Sequence, residues 1–157
     1  MQFNEISGDL GALGLRFGIV ASRFNDFIVD RLLVAAVETL VQAGADADDL
    51  DVVRVPGAFE IPLALKLMAA GDRYDGLLAL GCVIRGETPH FDYVAGEASR
   101  GATDVSLEYS IPVGFGILTV DTIEQARARS GPESNNKGAE AASAVIEMAN
   151  LRRRLAD

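Results

Sequence analysis

Residues Tyr74–Tyr93, with the sequence YDGLLALGCVIRGETPHFDY, decide the fold. The segment starts with an apolar run, continues into a polar loop that contains glycine, and ends where an amphipathic run begins. This pattern predicts a strand, an exit loop and a helix. The only histidine of the chain, His90, and its only cysteine, Cys82, both lie in this segment. In open parallel α/β sheets, ligands bind in the crevice formed by loops at the carboxyl ends of the strands.

The same alternation of apolar strands and amphipathic helices extends along the chain. After an extended arm at 1–14, the pattern predicts strands at 15–21, 51–55, 74–82 and 112–120. It predicts helices at 27–43, 58–70, 91–109, 122–129 and 137–155, with a turn-rich loop at 130–136. We therefore expect a single domain over residues 1–157: a three-layer α/β/α flavodoxin-like fold with a four-stranded parallel sheet and right-handed crossovers. The periodicity does not predict the order of the strands.

Composition excludes several classes of function. The 157 residues carry a formal charge of −9, which argues against nucleic acid or an anionic membrane as the main partner. One cysteine cannot form an internal disulfide, and one cysteine with one histidine cannot build a zinc site. The start, Met1–Glu5, does not resemble a secretory signal, and no apolar run approaches the roughly 20 residues of a membrane span. We expect a soluble, cytoplasmic protein.

Distinctive side chains follow the first two predicted strands. Phe24 is either a core or helix-staple residue, or a ring at the crevice that stacks on a flat ligand. Ala58, Phe59 and Glu60 follow the second strand. Glu60 either favours the dipole of the following helix or accepts hydrogen bonds from a ligand.

The third exit loop and the last two helices contribute polar candidates. Backbone N–H groups at Gly86-Glu87-Thr88 can hold a phosphate, although glycine and threonine are common in plain loops. Histidine is the side chain most often used for proton transfer near neutral pH, which makes His90 a candidate, whereas an isolated histidine is more often structural. Arg129 and Lys137 flank the 130–136 loop, and such cations are either solvated helix ends or a phosphate clamp.

Several of these motifs together resemble the 6,7-dimethyl-8-ribityllumazine synthase family. The resemblance extends almost from end to end, and the motifs occur in the order of the family. They are Phe17–Val20, Ser22–Asn25, Val55–Pro62, Gly81–Tyr93, Gly114–Thr119, Ile123–Ala126 and Asn136–Ala142. The resemblance implies condensation of 5-amino-6-(D-ribitylamino)uracil with 3,4-dihydroxy-2-butanone 4-phosphate, in riboflavin biosynthesis, without a metal or an organic cofactor.

The resemblance also implies a role for each candidate. Phe24 would stack on the pyrimidine, and His90 would donate and accept protons. The phosphate would be bound by Glu87 through its main chain, by Thr88 and by Arg129, with Arg127 as an alternative to Arg129. The pyrimidine and the ribityl chain would be held by Ala58, Phe59, Glu60, Cys82, Val83 and Ile84. Phe115 and Lys137 would complete the ring and phosphate contacts.

Phe115 lies inside the fourth predicted strand rather than in its exit loop, and is therefore badly placed for the crevice beside Phe24. The resemblance accounts for this, because the family builds its sites between neighbouring subunits of a pentamer. Phe115, Arg129 and Lys137 would come from the adjacent chain. The segment 131–135 lacks the lysine common in the family and has no insertion, which favours pentamers that close into an icosahedral shell.

A second hypothesis, from another class of function, is a catalytically idle shell protein that binds a flavin or lumazine on the same fold. The retained His90 and Arg129 favour the enzyme, because a binding protein needs neither a proton shuttle nor a phosphate clamp.

Overall fold

The computed structural model describes residues 1–132 and 135–157, and its centre is a four-stranded parallel sheet. The strands are β1 (Phe17–Ser22), β2 (Leu50–Val55), β3 (Gly76–Ile84) and β4 (Val113–Val120). They lie in the order β2-β1-β3-β4. The α-helices are α1 (Asp26–Gln42), α2 (Ile61–Ala70), α3 (His90–Tyr109), α4 (Ile123–Ala128) and α5 (Lys137–Ala156). None of the helices in the described part of the chain has both the length and the apolar character needed to cross a bilayer.

Helices cover both faces of the sheet, and each face has its own core. α1 and α5 pack together on one face, in a core that includes Ile19 and Leu78. α2 and α3 pack together on the other face, in a core that includes Val20 and Ala79. Successive β1 residues therefore enter opposite cores, and all six residues of β1 are buried. This arrangement confirms the predicted three-layer α/β/α fold.

The largest difference between the predicted and the observed sheet concerns β3. The apolar pattern predicts a strand over 74–82, whereas β3 begins and ends two residues later. Tyr74 lies outside the strand, and its hydroxyl donates to Asp51 Oδ2 with 2.5 Å between the oxygens. At the other end, Val83 and Ile84 extend the ladder because they pair with Thr119 and Val120 of β4. Cys82, Val83 and Ile84 are thus the end of a strand and not the start of a loop.

The other predicted elements begin and end within three residues of the observed ones. The predicted helix at 58–70 starts as a 3-10 turn, Ala58–Glu60, before α2. Pro62 is the second residue of α2, where its missing N–H disrupts no helical hydrogen bond. A further 3-10 turn, Ala47–Asp49, precedes β2 and was not predicted. The predicted loop at 130–136 includes Glu133 and Ser134, which lie outside the described residues.

The N-terminal arm is extended and is held against α5. Asn150 Nδ2 donates to the carbonyl oxygens of Asp9 and Gly11, at 2.7 and 2.9 Å. The Ala12 N–H then donates to Ala43 O at 2.8 Å, next to the end of α1. The first residues of the arm expose large apolar side chains, among them Phe3 and Ile6.

The contact between α1 and α5 gives a testable prediction at Gly138, in the first turn of α5. A Cβ atom at this position would overlap the backbone carbonyl oxygen of Leu32, which cannot rotate away. We expect Gly138→Ala to lower the free energy of unfolding by about 1–3 kcal/mol through overpacking. Urea-induced unfolding followed by circular dichroism measures the change.

The matched control is Gly96→Ala in α3. A Cβ atom at Gly96 would meet nothing within 4 Å, so this change should be neutral or raise the free energy of unfolding by about 0.5–1 kcal/mol through helix propensity. Equal losses of stability in the two variants would contradict the close approach of α1 and α5.

Candidate active site

Three exit loops meet at the carboxyl edge of the sheet and enclose a cavity of about 690 Å³. They follow β2, β1 and β3, which are consecutive in the sheet. The direction of chain progression reverses between β1 and β3, and open α/β sheets bind ligands at such a switch point. The cavity brings together nine of the thirteen predicted site residues: Phe24, Ala58, Phe59, Glu60, Cys82, Val83, Ile84, Thr88 and His90.

The loop after β1 presents an exposed aromatic ring to this cavity. Phe24 is 71% exposed, which rules out a buried core position for its side chain. Its N–H donates to Pro56 O at 3.0 Å, so the loop stays attached to the end of β2. Asn25 adopts a left-handed conformation with φ of 62°, and its Nδ2 donates to Cys82 O at 2.9 Å. The loop that carries Phe24 is therefore attached to the ends of β2 and β3, and the exposed ring has a face available for stacking.

The loop after β2 orients a carboxylate at the cavity. Glu60 Oε2 accepts a hydrogen bond from the Gly57 N–H at 3.1 Å, which closes the 3-10 turn Ala58–Glu60. Ala58 is buried beneath the turn, whereas Phe59 is 59% exposed. Glu60 therefore has the structural role of a cap and also borders the cavity. The two alternatives predicted for it are compatible.

The end of β3 and the start of α3 form the opposite wall. Val83 and Ile84 are half-buried at the end of the strand, and the loop that follows them is exposed. His90 is the first residue of α3 and is exposed. Its N–H lies 3.5 Å from Thr88 Oγ1. Thr88 and His90 thus sit at a helix N-terminus, where backbone N–H groups favour a bound anion.

Four predicted site residues do not border this cavity: Glu87, Phe115, Arg129 and Lys137. Phe115 borders a separate cavity of about 210 Å³ between α3 and β4. Arg129 follows α4, and its Nη1 donates to Gln125 O at 3.0 Å. Lys137 Nζ lies 2.7 Å from Glu140 Oε2, and the backbone N–H of Lys137 donates to Arg129 O. Arg129 and Lys137 are therefore neighbours, but they lie apart from the cavity of their own chain.

A larger groove lies elsewhere on the molecule. Its volume is about 960 Å³, and it is formed by the outer faces of α1 and α5 with part of the preceding loop. It contains none of the predicted site residues, and its described lining carries the carboxylates of Asp30, Glu38 and Glu140 against the guanidinium of Arg31, so that its net charge is negative. Because that lining is acidic, the groove is poorly suited to a phosphate.

A sequence profile of the 6,7-dimethyl-8-ribityllumazine synthase family matches residues 14–153. The chain belongs to this family. It is 53% identical over 155 residues to a 6,7-dimethyl-8-ribityllumazine synthase of Nitratidesulfovibrio vulgaris, with 99% of both chains covered. It is 56% identical over 148 residues to the enzyme of the same name from Desulfotalea psychrophila, with 94% of this chain and 96% of the relative covered. These similarities confirm the family and the enzyme class predicted from the motifs.

The lumazine synthase cavity also includes Gly86 of the predicted phosphate loop and five residues to which the sequence analysis assigned no role: Pro56, Gly57, Phe91, Tyr93 and Val94. Tyr93 and Val94 follow His90 by three and four positions, which places all three on one face of α3. This spacing is visible in the sequence and could have extended the predicted wall by one turn. Tyr93 is 71% exposed and adds a further aromatic side chain to a cavity that already contains Phe24, Phe59 and Phe91.

Cys82 is a wall residue whose thiol is buried. The residue is 3% exposed, and its side chain belongs to the core beneath α1 and α5. Burial disfavours the thiolate and raises the pKa of the Cys82 thiol from 9.0 to about 11. In the described part of the chain, no three His, Cys, Asp or Glu side chains form a group that could hold a metal ion.

The shifted pKa predicts slow thiol chemistry in the folded protein. At pH 8 the shift lowers the thiolate fraction about 100-fold, so Ellman's reagent should react with Cys82 at least that much more slowly in the native protein than in urea. Because the Cys82 thiol binds its proton more tightly in the folded state than in the unfolded state, the free energy of unfolding should also fall as the pH rises from 9 towards 11. Equal labelling rates in the two states would contradict the burial of this thiol.

Proposed function

We propose that the protein condenses 5-amino-6-(D-ribitylamino)uracil with 3,4-dihydroxy-2-butanone 4-phosphate to give 6,7-dimethyl-8-ribityllumazine, phosphate and water. The observation that carries this proposal is the convergence of three family motifs on one cavity at the switch point of the sheet. We further propose that residues 1–157 act as one domain in the cytoplasm. No metal and no organic cofactor enters the proposed reaction.

The cavity suits a flat heterocycle with a polar chain. Phe24 offers an exposed ring for stacking on the pyrimidine. Glu60 is fixed by the Gly57 N–H and faces the same space, where its carboxylate can accept hydrogen bonds from N–H or hydroxyl groups. The strand end at Val83 and Ile84 supplies backbone groups for the ribityl chain. In this arrangement, the enzyme gains rate largely because it holds two reactants in one orientation.

Proton transfer is assigned to His90. The amine of the pyrimidine attacks the ketone and forms an imine with loss of water. Phosphate is then eliminated, the resulting enol becomes a ketone, and the ribitylamino nitrogen closes the ring onto that carbonyl with loss of a second water. These steps move protons on and off nitrogen and carbon, and an imidazole titrates in the range that this requires. His90 is exposed at the start of α3 and borders the same cavity as Phe24.

The phosphate is assigned to the N-terminus of α3, with Thr88 and the main chain of Glu87 as ligands. Backbone N–H groups at a helix start favour an anion, and this assignment needs no contact from the Glu87 side chain. Because the phosphate carries about two negative charges, a cation would strengthen the site. Arg129 and Lys137 are the assigned cations, although neither borders the cavity of its own chain.

We propose that a neighbouring copy of the chain supplies Phe115, Arg129 and Lys137. Phe115 is 47% exposed and lies five residues before the end of β4, roughly 16 Å from the carboxyl edge at about 3.3 Å per residue. α2 also exposes Leu63 and Leu67, one helical turn apart, which suits burial against another subunit. The assembly we propose is a pentamer, with closure into an icosahedral shell as its larger form.

The proposed role of His90 predicts a large and specific loss of rate. The wild-type protein should form the lumazine from both substrates without added metal, followed by absorbance. His90→Ala should slow this reaction about 10²–10⁴-fold, because a general acid–base group is removed while positioning by the cavity remains. Arg152→Ala, near the carboxyl terminus, serves as the control and should keep the wild-type rate. A wild-type protein that does not accelerate the spontaneous reaction would favour the idle shell protein.

The shared site predicts complementation between two inactive variants. In a ring built at random from His90→Ala and Arg129→Ala subunits, about one quarter of the interfaces combine an intact His90 with an intact Arg129. Co-expression should therefore restore about one quarter of the wild-type activity, whereas each variant alone stays slow. Light scattering measures the size of the assembly. No recovery in mixed assemblies, or an active monomer, would refute the contribution from a neighbour.

A further inference from the structure

Arg85 is a charged residue to which the proposed function assigns no role; it does not border the cavity itself but lies between two residues that do, Ile84 and Gly86. It is the first residue after β3, and its N–H donates to Val120 O at 2.8 Å. Its Nε donates to Asp121 Oδ1 at 2.8 Å. Its Nη1 lies 3.5 Å from Asp92 Oδ1. Its guanidinium carbon also lies 4.4 Å from the centre of the Phe91 ring.

These contacts join separate elements of the site. Phe91 and Asp92 are in the first turn of α3, directly after His90. Asp121 lies in the exit of β4, and its N–H donates to Gln125 Oε1 at 2.7 Å. Gln125 belongs to the capping box at the start of α4. Arg85 therefore connects the turn that carries His90 to the end of β4 and the cap of α4.

The balance of charge argues against Arg85 as a phosphate ligand. Its single positive charge is matched by two carboxylates, Asp92 and Asp121. A phosphate brought to the same guanidinium would meet both of these negative charges, which disfavours it. The planar guanidinium of Arg85 also lies over the Phe91 ring. In this position it packs against the ring and its charge is attracted to the ring face. The contacts fit a structural clamp better than a free anion site.

We propose that Arg85 is a positioning residue that fixes the first turn of α3, and with it the orientation of His90, through Asp121, Asp92 and Phe91. This inference rests on the proposed function for its effect on rate, but the clamp itself does not. Each ion pair is exposed and weak alone, so the effect arises from geometry at His90 rather than from stability. Small misplacements of a catalytic group lower a rate strongly even when the fold is intact.

The test is a double-mutant cycle of Arg85→Ala and Asp121→Ala, with Arg100→Ala as the control. Arg100 lies on α3 and pairs with Asp104, which is one helical turn away on the same exposed face, so that this pair joins no separate elements. We expect each of the two single variants to lower kcat about tenfold, with KM for the butanone phosphate changed less than about twofold. The double variant should be no slower than the slower single one, because both changes break the same link. Arg100→Ala should match the wild type.

Arg85→Lys separates the two possible roles of the charge. Lysine keeps a point charge but lacks the planar fork, so a positioning role predicts a loss of kcat close to that of Arg85→Ala. A phosphate ligand predicts instead that lysine preserves most of the activity and that Arg85→Ala raises KM at least about tenfold. Either of those results, or independent effects of Arg85 and Asp121, would overturn the proposal.

Hydrogen exchange supplies a readout that does not depend on activity. Without substrates, peptides that cover residues 86–94 should exchange faster in Arg85→Ala than in wild type or Arg100→Ala, because the first turn of α3 has lost its tether. Unchanged exchange would overturn the clamp even in an active enzyme. If the wild type proved inactive, faster exchange would still support the clamp, so the two proposals can fail separately.

Discussion

The parallel pairing of β1 with both β2 and β3 is the constraint on which the site depends. The register sets Ser22 beside Val55 and Ala21 beside Leu80, so that the three strands end at one edge. The pairing continues into the loop, where the Arg23 N–H donates to Val55 O at 2.8 Å. Because a slip of one residue would turn every side chain of a strand to the opposite face, the buried strands hold this register firmly. The position of the cavity is set by the hydrogen-bonded pairing of these strands more than by contacts among the side chains that line it.

Stability is assigned to residues inside the strands, and chemistry is assigned to residues in the loops that follow the strands. Ile19 and Leu78 are fully buried and support the sheet, whereas Phe24 and Phe59 at the strand exits are largely exposed. Each fully buried aliphatic side chain contributes about 1.5–3 kcal/mol of transfer free energy, while an exposed ring contributes little until something covers it. The exit loops are therefore free to vary in shape without loss of the core. The same exposure leaves the aromatic rings available to a ligand.

The sequence predicted the layers and most of the cavity because both follow from local patterns. Alternating apolar runs and polar glycine loops define the strands, and His90 follows the loop after the third of these strands. The order of the strands is not encoded in periodicity, since it depends on how the crossovers pack. The end of β3 was placed two residues early because Val83 and Ile84 gain their partners from β4, a contact distant in sequence. Tyr93 and Val94 were missed although their helical spacing from His90, three and four positions, would have placed them on the same face of α3.

Phe115 marks the limit of reasoning from one chain. Its motif resembles the family strongly, yet its position inside β4 leaves it on a separate cavity beside Leu107. No pattern within a single sequence reports which surface of a second copy lies opposite. The family resemblance is the source of the proposal that a neighbouring copy uses Phe115, and the position of Phe115 within β4, away from the crevice, is the observation that calls for it.

The buried sulfur of Cys82 has a chemical consequence for the substrate proposed here. Ketones with adjacent hydroxyl groups are electrophiles, and a thiolate in the wall of the pocket would add to such a carbonyl and trap it as a hemithioketal. With the pKa of Cys82 near 11 and the side chain turned into the α1–α5 core, the sulfur stays protonated and out of reach. A wall built from the backbone of this residue can thus hold a reactive sugar-like ketone without being consumed by it.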